Sequence, residues 1–384
     1  MQTLIYNATL VLPDKLIENG WLLIEDARIA GLGESATAPA QVERKIDGLG
    51  HFLMPGLIDL HSDAIERQVE PRPEVIFDTH IALGEIDRRL ASAGITTEFH
   101  AISLDDNEFG TRSVNFVHDL AHNIKLETDN LVRHEIHARF ELTSQNGFET
   151  IKKLIKTREV RLISLMDHTP GQGQYKSEEG FREYIKRTVH MSDEKIDEWI
   201  IMKKAQKAMV PERIATVTRL AREAGLAIAT HDDDTAEKIA GWPKLGVTMA
   251  EFPTTMEAAT AAHKLGLVVC MGAPNVLRGK SSGGNISAMA TIQAGVCDAL
   301  CADYYPAAML GATFKLVTHH ILSLPQAVQL VTLNPAKAVG LHQDFGSLEV
   351  GKIADIILVK ATARNPRVLR LFVDGQERLT HWEG

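Results

Sequence analysis

From Leu57 onward the chain alternates short apolar runs with segments in which apolar residues recur every three to four positions, the order of strands followed by helices. Eight runs read as strands: GLIDLHSD, TTEFHAI, IHARFEL, RLISLMDH, LAIATHD, VTMAEF, LVVCMGAP and ALCADYYP. The helix between the fourth and fifth is the clearest. Pro211 suits a first helical position, Ile214, Val217, Leu220 and Ala221 recur on one face, and Gly225 ends the pattern. Eight such units predict an α/β fold, a (β/α)8 TIM-type barrel, which needs about 250 residues. Residues 54–333 supply that length.

The two ends follow another pattern. TLIYNATLVL and WLLIEDARIAGLG read as short strands, the second with Asp26-Ala27 between two apolar stretches. FGSLEVGKIADIILVK and RVLRLFVDGQERL are β-rich in the same way, broken by Gly351 and by Asp374-Gly375. Residues 1–53 and 334–384 are therefore expected to pair as a small β-sandwich domain built from both chain ends.

Composition narrows the class. Of 384 residues, 45% are hydrophobic and 24% charged, ordinary usage for a soluble globular protein. Lys and Arg number 41 against 50 Asp and Glu, a net charge of −9, so no global positive field would hold nucleic acid or an anionic membrane. An anionic substrate must meet local cations. No apolar window approaches the roughly 20 residues of a membrane span, and the opening residues lack the basic-then-apolar order of an export signal. Cys270, Cys297 and Cys301 have no staple-like spacing, which points to a reducing compartment and a cytoplasmic location. A homo-oligomer is compatible with this composition.

Candidate chemistry gathers at the strand ends. His61 and Asp63 close the first strand on one face by the period of two, Glu141 closes the third, His168 the fourth, His231 the fifth and Asp303 the eighth. On its own, an HxD is a polar strand end bonding its loop; the further strand-end residues lend it weight, because in a barrel these ends converge on one face. Three histidines and three carboxylates make an N/O ligand set suited to Zn²⁺, Mn²⁺ or Fe²⁺, and two divalent ions are expected to share it. Glu141 is expected as the bridge, since two cations roughly 3.5–4 Å apart need an anion between them. Glu98 and Glu251 are rival bridges, and an ion pair of Glu141 with Arg139 is the non-catalytic alternative. His134, His137, His319, His320 and the cysteines read as structural. Asp232, Asp233 and Asp234 read either as orienters of a neighbouring ligand or as a solvated acidic loop.

A second constellation follows the seventh strand in NVLRGKSSGGN, with Asn275, Arg278, Lys280 and Ser281. Glycines let backbone N–H groups approach phosphate oxygens, while Arg supplies a fork and Lys a point charge. The spacing is not that of a Walker loop. Lys176, with Gln172, Gln174 and Tyr175 in the fourth loop, is a further candidate contact. Solvated cations on a polar loop are the alternative for both segments.

The opening β segment, PGLIDLH, the terminal Asp303 and the NPAKAVGL and GSLEVGKIADIILV tail together resemble the amidohydrolase superfamily over nearly the whole chain. HSDAIERQ, MDHTPGQGQY, THDDDT, EFPTT, MGAPNVLRGKSSGGN and CADYYP resemble one branch of it, the triphosphate hydrolases of the carbon-phosphorus lyase pathway for phosphonate utilisation. The resemblance implies hydrolysis of α-D-ribose 1-methylphosphonate 5-triphosphate, a small-molecule triphosphate, to the 5-phosphate and pyrophosphate. The expected chemistry is attack of a cation-activated water on the α-phosphorus, with Asp303 taking its proton as general base. Asp63 stands where the commonest superfamily pattern has a second His, and no Lys closes the fourth strand. An amidohydrolase or deaminase acting on a cyclic amide or aminated purine is the rival reading, and a non-catalytic scaffold the third.

Overall fold

The computed structural model describes residues 2–72, 74–105, 114–171, 177–189, 191–281, 284–361 and 365–381. Gln172, Gln174, Tyr175 and Lys176 of the expected phosphate contacts lie outside them.

All eight expected runs form strands: Leu57–Ser62, Ile95–Leu104, Arg133–Glu141, Leu162–Met166, Ala227–His231, Met249–Glu251, Val268–Gly272 and Ala299–Cys301. They pair in chain order in one sheet, each neighbour parallel to the next. Parallel strands covered on both faces read as nearly continuous apolar runs, and the first, second and fourth are buried at every position. Ile58, Leu60, Phe99, Leu162, Ala229, Met249, Cys270, Ala299 and Cys301 fill the barrel interior, while Ile136, Ala138, Phe140, Ile163, Leu165, Ile228 and Val269 belong to the separate core under the helices. The third strand begins at Arg133, so His134 stands inside it and not before it.

Local sequence explains the connections. Asp78 caps the helix Thr79–Ala93 by accepting from the His80 amide, and Gly94 ends it at φ +87°, a left-handed backbone that an L side chain resists. Ser144 caps Gln145–Thr157 through the Gly147 amide, and Pro211 opens Val210–Glu223.

Closure between the first and eighth strands decides the shape of the mouth. At the bottom the seam is filled by another segment, since the Ile58 amide donates to Val331 O and the Leu300 amide to Leu330 O, each at 2.9 Å or less. Halfway up, one Asp59 carboxylate oxygen accepts from the His61 amide at 3.2 Å and the Ala302 amide at 2.9 Å. Only at the top do the strands meet, through the parallel bridge of Ser62 with Asp303.

The strands of both chain ends form a second, mixed sheet in the order Gln376–Thr380, Arg367–Val373, Ile356–Lys360, Phe52–Pro55, Gln2–Val11, Leu16–Glu25 and Arg28–Glu34, with Arg44–Asp47 beside Gln2–Val11. Asp26, at φ +54°, makes the turn between two of these strands. Leu10, Leu22, Ile24, Leu53, Ile356 and Phe372 are among the residues of its core. Phe52–Pro55 runs directly into the first barrel strand, which ties the two sheets together. No helix among the described residues is long and apolar enough to cross a membrane.

Candidate active site

The C-terminal mouth of the barrel collects the histidines. His61 breaks the alternation of its strand: the pairing register shifts between Asp59 and Ser62, and the ring turns inward to stack on His231 with centroids 5.6 Å apart. His231 closes the fifth strand and Glu251 the sixth, paired directly in register. Glu251 therefore stands between two imidazoles, one oxygen 3.2 Å from His61 Nδ1 and the other 3.3 Å from His231 Nδ1. His137 lies 3.7 Å from the same carboxylate and bonds the Ser164 hydroxyl, which itself donates to Glu251.

On the far side of His231, its Nε2 faces Asp232 at 3.7 Å, and His168 Nε2 faces the same carboxylate at 3.8 Å. His168 Nδ1 lies 3.2 Å from Glu141. Asp232 and Asp303 both sit at strand ends with φ near +57° and +58°, a left-handed conformation that Asp tolerates better than most residues. Asp303 donates its amide to His61 O and accepts from the Asp63 amide, both at 2.9 Å. Burial raises the Asp303 carboxyl to about 6, with His61 opposing and Asp63 adding to the rise. Burial alone would depress His168, but bonding and charge from Asp232 and Glu141 raise it to about 9.

This donor set fits a divalent cation. A neutral imidazole has one N–H, yet His231 and His168 each present both ring nitrogens to carboxylates. The second carboxylate calls for either a proton or a metal ion. Among the described residues two groups place their donor atoms within 4.8 Å of one another: His61, His231 and Glu251, and His168, His231 and Asp232. His231 is common to both.

Other strand-end residues lie elsewhere. Glu141 is adjacent to these groups, but one oxygen is held by Lys203 at 3.2 Å and Thr143 at 2.6 Å, and the other by His168. Burial would raise Glu141; Lys203 and His168 outweigh it and hold the carboxyl below the usual range. Lys203 comes from the helix Asp193–Gln206, is buried, and also pairs with Asp105 at 2.9 Å. Neither Arg139 nor any strand neighbour supplies this cation, and no pattern near Glu141 in sequence points to it. Replacing Lys203 with Met takes the buried ammonium away from both carboxylates. The metal-free protein is expected to lose about 3–5 kcal/mol of stability, read from urea unfolding; a wild-type midpoint would mean that Glu141 has another partner.

Glu98 stands behind the barrel wall beside Asp59, paired with it in register. Burial raises Asp59 to about 7 against the Ala302 amide, and burial together with Asp59 pushes Glu98 well above the usual carboxylate range. The same layer holds His100, bonded to His134 at 2.8 Å, with His134 on Asp87 at 3.1 Å.

The loop after the seventh strand opens with a short helix, Ala273–Arg278, whose last carbonyls accept from Lys315. A Cβ on Gly272 would lie 3.3 Å from an Asp303 oxygen and 3.6 Å from the Asn275 amide nitrogen, so both side chains come close to a residue without one. Arg278 and Lys280 are exposed at the rim and Ser281 half-buried, with the Arg278 guanidinium 3.2 Å from the Tyr304 hydroxyl.

A family model described as the Amidohydrolase family matches residues 52–378. The chain is 37% identical over 366 residues to the alpha-D-ribose 1-methylphosphonate 5-triphosphate diphosphatase of Escherichia coli (strain K12), covering 92% of this chain and 94% of that protein. It is 23% identical to an imidazolonepropionase of Pseudomonas aeruginosa (strain UCBPP-PA14), covering 89% of this chain and 87% of the other. In structure, the N-acetyl-D-glucosamine-6-phosphate deacetylase from Mycobacterium smegmatis superposes with a TM-score of 0.64 at 16% identity, covering 98% of this chain and 99% of that one, a likeness of fold.

Proposed function

The chain belongs to the amidohydrolase family, and on that premise we propose that it hydrolyses α-D-ribose 1-methylphosphonate 5-triphosphate to the 5-phosphate and pyrophosphate in phosphonate breakdown. One observation carries the reading. Histidines flanked by carboxylates on both ring nitrogens occupy the mouth of the barrel, in a chain that matches a triphosphate diphosphatase over nine-tenths of its length.

Divalent cations held there, whether Zn²⁺, Mn²⁺ or Fe²⁺, polarise phosphoryl oxygens and lower the pKa of a water. His61, His168 and His231 supply nitrogen donors, and Glu251, Asp232, Asp63 and Asp303 oxygen donors. Glu251, which faces two of the histidines, would be the carboxylate shared among the cations held there, and Glu141 would take that role only by giving up Lys203. Asp303 takes the proton of the attacking water. Asn275, like Asp303, lies close to Gly272 and suits the group under attack, while Arg278, Lys280 and Ser281 at the rim suit the two departing phosphates. Lys176, outside the described residues, is a further candidate. The new bond joins the water oxygen to the α-phosphorus, and the bond to the β-phosphate bridging oxygen breaks.

Phosphorus NMR of the products in ¹⁸O-labelled water tests this directly. Label in the sugar 5-phosphate, with pyrophosphate unlabelled, is the expected result. Label confined to pyrophosphate or orthophosphate rejects attack at the α-phosphorus. Turnover of a cyclic amide with none of the triphosphate rejects the reading.

A further inference from the structure

We propose that Arg139 is a catalytic residue of this site, its guanidinium binding the non-bridging oxygens of the phosphoryl group under attack; the proposal rests on the triphosphate reading above. Alternation along the third strand sends Ile136, Ala138 and Phe140 into the core under the helices. His137, Arg139 and Glu141 therefore face the barrel interior, with Arg139 between the other two. Its register partners are Ser103 and Ser164, and Ser164 bonds Glu251. Arg139 thus stands among the candidate metal ligands and not at the rim with Arg278 and Lys280.

Its environment is unlike that of the other buried and half-buried cations compared with it. Lys203 pairs with Asp105 and Glu141, Arg133 with Asp355 and Asp374, and Arg213 bonds Leu142 O, Gln145 and Gln206. Among the described residues, no carboxylate oxygen lies within 4.0 Å of Arg139, although its charge is felt by Asp232 and Asp303. One nitrogen reaches His231 Nε2 at 3.4 Å, and Nε is buried without a partner. A guanidinium brought into a barrel interior without a close counter-ion is disfavoured by desolvation. An anion arriving at the mouth would remove that deficit.

Arg suits this task through its planar fork of donors, which matches two oxygens of one phosphoryl group. During displacement at phosphorus, charge is spread over the non-bridging oxygens, so a guanidinium fixed beside them stabilises the transition state more than the ground state. A neutral cyclic amide presents no such group. Arg139 thereby favours anhydride over amide chemistry at this mouth.

The test uses Arg139→Gln and Arg139→Lys in the metal-loaded, full-length protein. The expected result is a fall in kcat of about 10²–10³-fold for the Gln variant, the range for a lost oxyanion donor. Metal content and melting temperature should match wild type, the Lys variant should recover part of the rate, and free guanidinium should rescue the Gln variant but not a variant of Asp303. Calorimetric titration with inorganic phosphate gives a readout apart from turnover, and the Gln variant should bind it at least about tenfold more weakly, as expected for one lost charge-assisted bond. Wild-type kcat and phosphate affinity in the Gln variant would overturn the proposal. Loss of rate in step with loss of bound metal would overturn it too, by making Arg139 a counter-charge for the ligands. If wild type proves inert toward the triphosphate, the functional reading falls, and the phosphate titration still decides whether Arg139 binds phosphoryl oxygens.

Discussion

Replacing Asp303 with Asn is expected to lower kcat by about 10²–10⁴-fold, the range for loss of a general base. Asn keeps the size of the side chain and one oxygen donor, and it tolerates the left-handed backbone that Asp303 adopts at φ +58°. The Asp303 backbone bonds to His61 and Asp63 do not involve its carboxyl, so the bridge that closes the barrel mouth should survive. What the variant loses is a basic oxygen that rests close to Gly272. Initial rates with the triphosphate, beside metal content and a melting curve, check it. A folded, metal-replete variant turning over near the wild-type rate would move the base elsewhere, with Asp232 the next residue to replace.

Chelation should abolish turnover altogether, and Zn²⁺, Mn²⁺ or Fe²⁺ should restore it. His231→Ala should have the largest effect of any single ligand change, because His231 is the member common to both donor groups. Its removal takes a nitrogen from each, and elemental analysis should find bound metal reduced by at least about one ion per chain, as expected for a site left one ligand short. Full activity in protein stripped of metal would refute the hydrolytic mechanism, and an unchanged metal content in the variant would take His231 out of the ligand set.

Much of the architecture is legible in the chain itself. Short apolar runs separated by helical periods yield the eight barrel strands, and Asp26, Pro211 and Gly225 act where local backbone preference puts them. Strand-end polar residues are legible for the same reason: a His or Asp that closes a buried parallel strand has only the mouth to face. Asp232 was visible as a neighbour of a candidate ligand. His137 reads as structural in the sequence, since a single His within a strand looks the same whether it packs or bonds.

The partnerships at the mouth were decided by the tertiary structure. Period two tells which face a residue takes but not which residue stands opposite it across a closed barrel. His61 faces inward only because its strand slips register at Asp59, and Glu251 meets both His61 and His231 because the sixth strand lies beside the fifth. Glu98, at an equally plausible place in the sequence, falls on the other side of the wall with Asp59. Glu141 is held by Lys203, a residue sixty-two positions away on a helix that no local pattern links to it. Alternation and propensity are local and can be read along the chain. Pairing of buried charges depends on which groups lose their water together, and that is settled only when distant segments meet.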